Sequence, residues 1–160
     1  LYQKARANSE EAERSLDLAR SEYRKKTQEY IAEVSAQCQA RRRAVEKEYL
    51  SKVTALEAEK ERILNRKWSL DSVTDYRAAE IDFQVAEIDY QIADLVSERD
   101  QKLMQLEELE RRRREEAEVK ARKESGIENV QQRCDEAQKA LDEAEAHLYR
   151  VEFLLDTGRE

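Results

Sequence analysis

His147 is the only histidine of the 160-residue chain, and Glu143 stands one helical turn before it. Bundle-type di-metal centres use Glu-x-x-His pairs from facing helices, and a single histidine with its glutamate four positions away cannot supply them. Cys38 and Cys134 are 96 positions apart, with no second thiol close enough for a zinc, redox or haem-attachment motif, and two isolated glycines make no phosphate-cradling loop. Asp and Glu are abundant, 37 in all. Acid–base work, however, needs a pair of carboxylates in a partly dry pocket, and a bundle two or three helices thick offers almost none. The basic runs Arg41-Arg42-Arg43 and Arg111-Arg112-Arg113-Arg114 could in principle hold phosphates. Consecutive residues spread around a helix, and Glu107, Glu108, Glu110, Glu115, Glu116 and Glu118 flank the second run, so local i to i+4 ion pairing is expected there. A pI near 5.1 opposes binding to a nucleic acid or an anionic membrane surface. No catalytic, cofactor-binding or metal residue is assigned, no cofactor is expected, and the chain reads as a non-enzyme.

The elements that carry these residues follow from composition. Charged residues make up 42% of the chain, proline is absent and mean hydropathy is -1.00, the profile of long helices and coiled coil. No apolar run approaches the ~18 residues of a membrane-spanning helix, so insertion by this segment is not expected. The opening Leu1-Tyr2-Gln3-Lys4 resembles neither an initiator nor a signal peptide, which suggests a piece of a longer protein.

Heptad spacing is clearest from Ile127 through Val130, Cys134, Ala137, Leu141, Ala144, Leu148 and Val151 to Leu155, in steps of 3 and 4. A second seam runs through Ile81, Val85, Ile88, Ile92 and Leu95, then Leu103, Leu106 and Leu109, diluted by Arg99 and Lys102. The first arm is weaker. Tyr2, Ala5, Ala12, Leu16, Ala19, Tyr23 and Tyr30 keep the spacing, Val34, Cys38 and Val45 drift, and Val53, Leu56, Ile63 and Leu70 resume in a shifted phase, as a stutter would produce.

Two breaks are expected. Trp68 to Asp75 clusters small polar residues, with Ser72 and Asp75 at capping-box spacing. Glu124-Ser125-Gly126-Ile127-Glu128 offers a left-handed glycine, with Ser125 and Glu128 repeating the cap spacing. The resulting division is a first helix over 1–68, a break at 69–75, a second helix over 76–123, a turn at 124–126 and a third helix over 127–157. Residues 1–68 carry 16 basic and 12 acidic side chains (+4) and residues 69–160 carry 14 and 25 (-11), so side-by-side pairing of the two parts is electrostatically favoured.

Tyr23, Tyr30, Tyr49, Tyr76 and Tyr90 are expected to pack along the seam with their hydroxyls reaching water, and Trp68 with Tyr76 could instead mark a docking surface at a hairpin tip. Cys38 and Cys134 read as small seam residues, with an interchain disulfide as the alternative. The stretch Trp68 to Ala93, above all Ala79-Glu80-Ile81-Asp82-Phe83-Gln84-Val85-Ala86-Glu87-Ile88-Asp89-Tyr90, resembles the coiled-coil segment that precedes the haem-binding part of large bacterial c-type cytochromes. That resemblance covers about a sixth of the chain, includes no haem-attachment motif, and implies a periplasmic spacer or assembly arm.

The expectation is therefore an all-α, elongated coiled coil, folded back as an antiparallel hairpin or three-helix arrangement. Its expected role is non-catalytic assembly, as a spacer, tether or oligomerisation module. The interaction seam is assigned to Ile81, Val85, Ile88, Ile92, Ile127, Val130, Leu141, Leu148, Val151 and Leu155, closing on a second copy or on another helical protein. The alternatives are the electron-transfer arm implied by the resemblance and a cytoskeletal or filament rod segment.

Overall fold

In a computed structural model, which describes residues 1–69 and 75–158, every element is a helix. Helix α1 covers Tyr2–Ser69, α2 covers Asp75–Ser125 and α3 covers Ile127–Thr157. Without proline, nothing in these stretches removes an amide donor or crowds the preceding turn, so the helices run on for 68, 51 and 31 residues. Charges that oppose the helix dipole stand at the end of α1 (Arg66, Lys67), at both ends of α2 (Asp75; Arg122, Lys123) and at the start of α3 (Glu128), but not at the start of α1 or the end of α3. The break expected between Trp68 and Asp75 falls largely outside the described residues, Ser72 included; α1 ends at Ser69 and α2 starts at Asp75.

The chain divides into two compact units, one of residues 34–112 and the other of residues 1–33 with 113–160. In the first, α1 and α2 form an antiparallel hairpin, as the ladder of cross-helix contacts records. Lys67 Nζ pairs with Asp82 at 3.0 Å and Lys60 Nζ with Asp89 at 2.7 Å; further along, Tyr49 Oη donates to Glu98 at 3.4 Å and Arg42 pairs with Glu110 at 3.2 Å. Numbers fall on one strand of the ladder as they rise on the other. Between these polar rungs Ile63 and Ile88 line one groove, and Tyr49, Val53, Leu95 and Leu103 line the next. Ile88, Tyr49 and Cys38 are the buried apolar residues of this unit among the described residues, and the Lys52 and Lys102 ammonium groups stand 5.2 and 5.0 Å from the Tyr49 ring centroid.

In the other unit, α1 up to Glu33 lies antiparallel first to the end of α2 and then to α3. Tyr30 and Lys26 meet Glu124, the Arg122 guanidinium stands 6.0 Å from the Tyr23 ring, and Ser9 Oγ donates to Gln138 Oε1 at 3.4 Å. The buried apolar side chains are short, Ala19, Ala117, Ala121 and Ala144 with Leu16, and small residues let helix backbones approach closely.

Gly126 redirects the chain without reversing it, because within this unit the end of α2 and α3 both run antiparallel to the first part of α1. Its φ of 63° and ψ of 20° are left-handed, a conformation that costs residues with a Cβ roughly 1–2 kcal/mol. The capping box expected at Ser125 and Glu128 is replaced by other bonds. Ser125 Oγ donates to the Arg122 carbonyl at 3.0 Å and accepts from Ile127 N–H at 3.4 Å, while Glu128 reaches Arg122 at 3.7 Å. With Gly126 itself in the cap position, Glu128 is the second helical residue, one short of the position from which a capping box reaches back.

Candidate association site

The ten seam residues fall into three groups. Ile81, Val85, Ile88 and Ile92 lie on the face of α2 turned to α1, with Ile88 buried and the other three half-buried. Flanking them, Asp82 and Asp89 are held by Lys67 and Lys60. Ile127, Val130 and Leu141 are half-buried on α3, in the same unit as the first half of α1. There Asn8, Ala12 and Ser15 share a groove with Val130 and Ala137, and Leu1, Lys4 and Ala5 share one with Ala140, Ala144 and His147.

Leu148, Val151 and Leu155 form the third group. They keep the heptad spacing of the residues before them, yet they are 41%, 39% and 61% exposed, while Ala144, one turn earlier, is buried. His147 still lines a groove with Leu1, Lys4 and Ala5 of the first arm. Beyond it Tyr149, Phe153 and Leu154 are also exposed, so the last three turns of α3 are apolar and uncovered. The helix closes with Gly158 N–H donating to the Leu154 carbonyl at 3.0 Å and Thr157 Oγ1 to the Phe153 carbonyl at 2.8 Å.

The tyrosines divide in the same way. Tyr49 is buried and Tyr23 and Tyr30 are half-buried, but Tyr76 and Tyr90 are 80% and 76% exposed, as is most of Trp68. Period-three-and-four spacing placed Tyr76 and Tyr90 near the seam, whereas their actual angular positions on α2 lie opposite the isoleucines, since a helix turns 100° per residue. Phe83, 70% exposed, shares their face, as the seven-residue recurrence Tyr76, Phe83, Tyr90 requires.

Two clusters at the surface show electrostatic perturbation. Glu124 accepts the Tyr30 hydroxyl and has Lys120 and Lys26 nearby; these partners, the tyrosine first, lower the carboxyl below its ordinary value, and the bond to Glu124 in turn raises the Tyr30 phenol. Arg111 and then Arg112 hold the Glu108 carboxyl below its ordinary value. Arg111 donates to it at 2.6 Å and Arg112 at 3.3 Å, so these two arginines of the basic run make local i to i+3 and i to i+4 pairs. Arg42, by contrast, crosses to α2. Cys38 and Cys134 are both free thiols, and Cys38 is 1% exposed, out of reach of a second chain while the hairpin is closed.

Among the described residues no group of three or more His, Cys, Asp and Glu side chains is placed to hold a metal ion, and no helix is long and apolar enough to cross a membrane. Compared with known proteins, the chain matches no family model, no curated protein and no solved structure.

Proposed function

We propose that the chain is a non-catalytic structural coiled coil that assembles with a second copy of itself through the C-terminal ridge of α3. The observation that carries this reading is the exposure of Leu148, Val151 and Leu155 in unbroken heptad register with the covered part of the same helix. A ridge of that spacing is shaped to interlock with another helix.

Flanking charge favours a parallel copy. His147 and Leu154 stand on one side of the ridge and Glu145 and Glu152 on the other. Parallel pairing sets His147 against Glu152 of the other chain, while antiparallel pairing sets glutamate against glutamate. Burying a leucine or valine fully is worth about 1.5–3 kcal/mol, against an association cost of about 4–15 kcal/mol. Three ridge residues per copy therefore support a concentration-dependent dimer in place of a permanent one.

Sedimentation equilibrium tests this. The mass should rise from 18.9 kDa towards twice that value with concentration. Leu148→Asp with Leu155→Asp should hold it at the monomer value with helicity unchanged, because both side chains are exposed in the single chain. A wild-type mass fixed at the monomer value over the whole range would refute self-assembly.

A further inference from the structure

The back of α2 carries a second heptad row that the hairpin does not use. Tyr76, Ala79, Phe83, Ala86, Tyr90 and Ala93 follow in steps of 3, 4, 3, 4 and 3, and all six are exposed. At 100° per residue this row lies on the side of the helix away from Ile81, Val85, Ile88 and Ile92. Solitary exposed aromatics are ordinary on a protein surface, but three in register with alanines between them form a row of knobs and holes.

Charge identifies what fits it. Between Asp75 and Asp94 the sequence has six acids, and every one flanks the row: Glu80, Glu87 and Asp94 on one side, Asp75, Asp82 and Asp89 on the other. The single base of the stretch, Arg77, lies on the α1 side of the helix. Asp82 and Asp89 are tied to Lys67 and Lys60, whereas Asp75, Glu80, Glu87 and Asp94 enter no ion pair among the described residues.

A second copy is geometrically tempting. In an antiparallel pair Tyr76 would meet Ala93, Phe83 would meet Ala86 and Tyr90 would meet Ala79, large against small in every layer. Flanking acids oppose it in both orientations, because each row of carboxylates then faces another row of carboxylates. The same acids attract a helix with lysine or arginine at the flanking positions.

We infer that the back of α2 is a docking surface for a basic amphipathic helix of another protein, the aromatics of the row seating in its apolar ridge and the acids choosing it by charge. The inference extends the reading of the chain as an association module to a second face and a different partner. Three aromatics bury about 150–250 Å² each, short of a standard interface without the flanking pairs, so the complex should be weak and salt-sensitive.

The test uses the whole chain and two labelled helical peptides about three heptads long. Both have leucine and alanine alternating at the ridge positions; one has lysine at the flanking positions and the other glutamate. Fluorescence anisotropy should show binding of the lysine peptide, weakening as salt rises, and none of the glutamate peptide. Tyr76→Ser with Phe83→Ser and Tyr90→Ser keeps every acid and should weaken binding at least about tenfold. Glu80→Lys with Glu87→Lys and Asp94→Lys should turn the preference towards the glutamate peptide. Leu148→Asp with Leu155→Asp should leave lysine-peptide binding unchanged even as it alters the mass of the chain, which separates this inference from self-assembly through α3. Undiminished binding by the triple serine variant would reduce the effect to net charge and overturn the proposal. So would a fall in wild-type oligomer mass caused by that variant, since a second copy would then be the occupant.

Discussion

The two faces of α2 share one helix, one spacing and many of the same flanking acids, yet they have opposite fates. The face bearing Ile81, Val85, Ile88 and Ile92 closes on α1, and Asp82 and Asp89 beside it meet Lys67 and Lys60. The face bearing Tyr76, Phe83 and Tyr90 stays bare, with Glu80, Glu87 and Asp94 unmatched among the described residues. Heptad spacing therefore identifies a ridge, whereas the charges across from it decide what closes it. α3 also changes along its length, with Ala144 buried and Leu148, Val151 and Leu155 exposed.

The largest expected contrast between the faces is in stability. Ile88→Ala removes a side chain that is 6% exposed and should destabilise the chain by about 2–3 kcal/mol in urea unfolding, the lower end for buried isoleucine because a hairpin relaxes into the gap. Comparable losses at Phe83 would erase the distinction.

Gly126→Ala comes next. Nothing lies within 4 Å of the added Cβ, so the cost is that of left-handed backbone alone, about 1 kcal/mol. Thermal melting followed by circular dichroism reads it. A stabilised variant would mean that the joint can straighten, which would change how much of α3 meets α1.

Phe83→Ala should change unfolding free energy by no more than about 0.5 kcal/mol, while abolishing most of the proposed docking to α2.

The smallest effect concerns Tyr30→Phe, which removes the first cause of the Glu124 shift. The Glu124 carboxyl should titrate higher in the variant by carboxyl-resolved NMR. Its folded value is lowered, so its contribution to stability is present above the unfolded carboxylate value and is lost as pH falls through the folded one. Tyr30 is raised, so its contribution is present below the ordinary phenol value and is lost as pH rises through the folded one. Both contributions are small because Glu124 is exposed and Tyr30 only half-buried.

Much of the fold was legible beforehand. Absence of proline, the charge content and the spacing of Ile81 to Ile92 and of Ile127 to Leu155 specify helices, and Gly126 signals a joint because left-handed backbone suits glycine. The direction of that joint was not legible, since a left-handed residue is compatible with a reversal or a bend; only contacts such as Ser9 with Gln138 decide it. Charge halves of +4 and -11 pointed to side-by-side pairing but could not select rungs, which depend on register: Lys60 with Asp89, Lys67 with Asp82, Arg42 with Glu110. The seam was read as one functional surface because period alone cannot distinguish a ridge that meets its own chain from one left bare. Tyr76 and Tyr90 read as seam residues for a related reason, although both are exposed: on a helix with two apolar rows, spacing relates the members of each row without saying which row faces the partner.

Hydrogen exchange resolved along α3 tests the central claim most directly. Amides from Leu148 to Leu155 should gain protection as protein concentration rises, while those from Ile127 to Ala144, already covered by α1, change little. Fast exchange of the Leu148–Leu155 amides, the same at every concentration, would contradict the claim that a second chain closes this ridge.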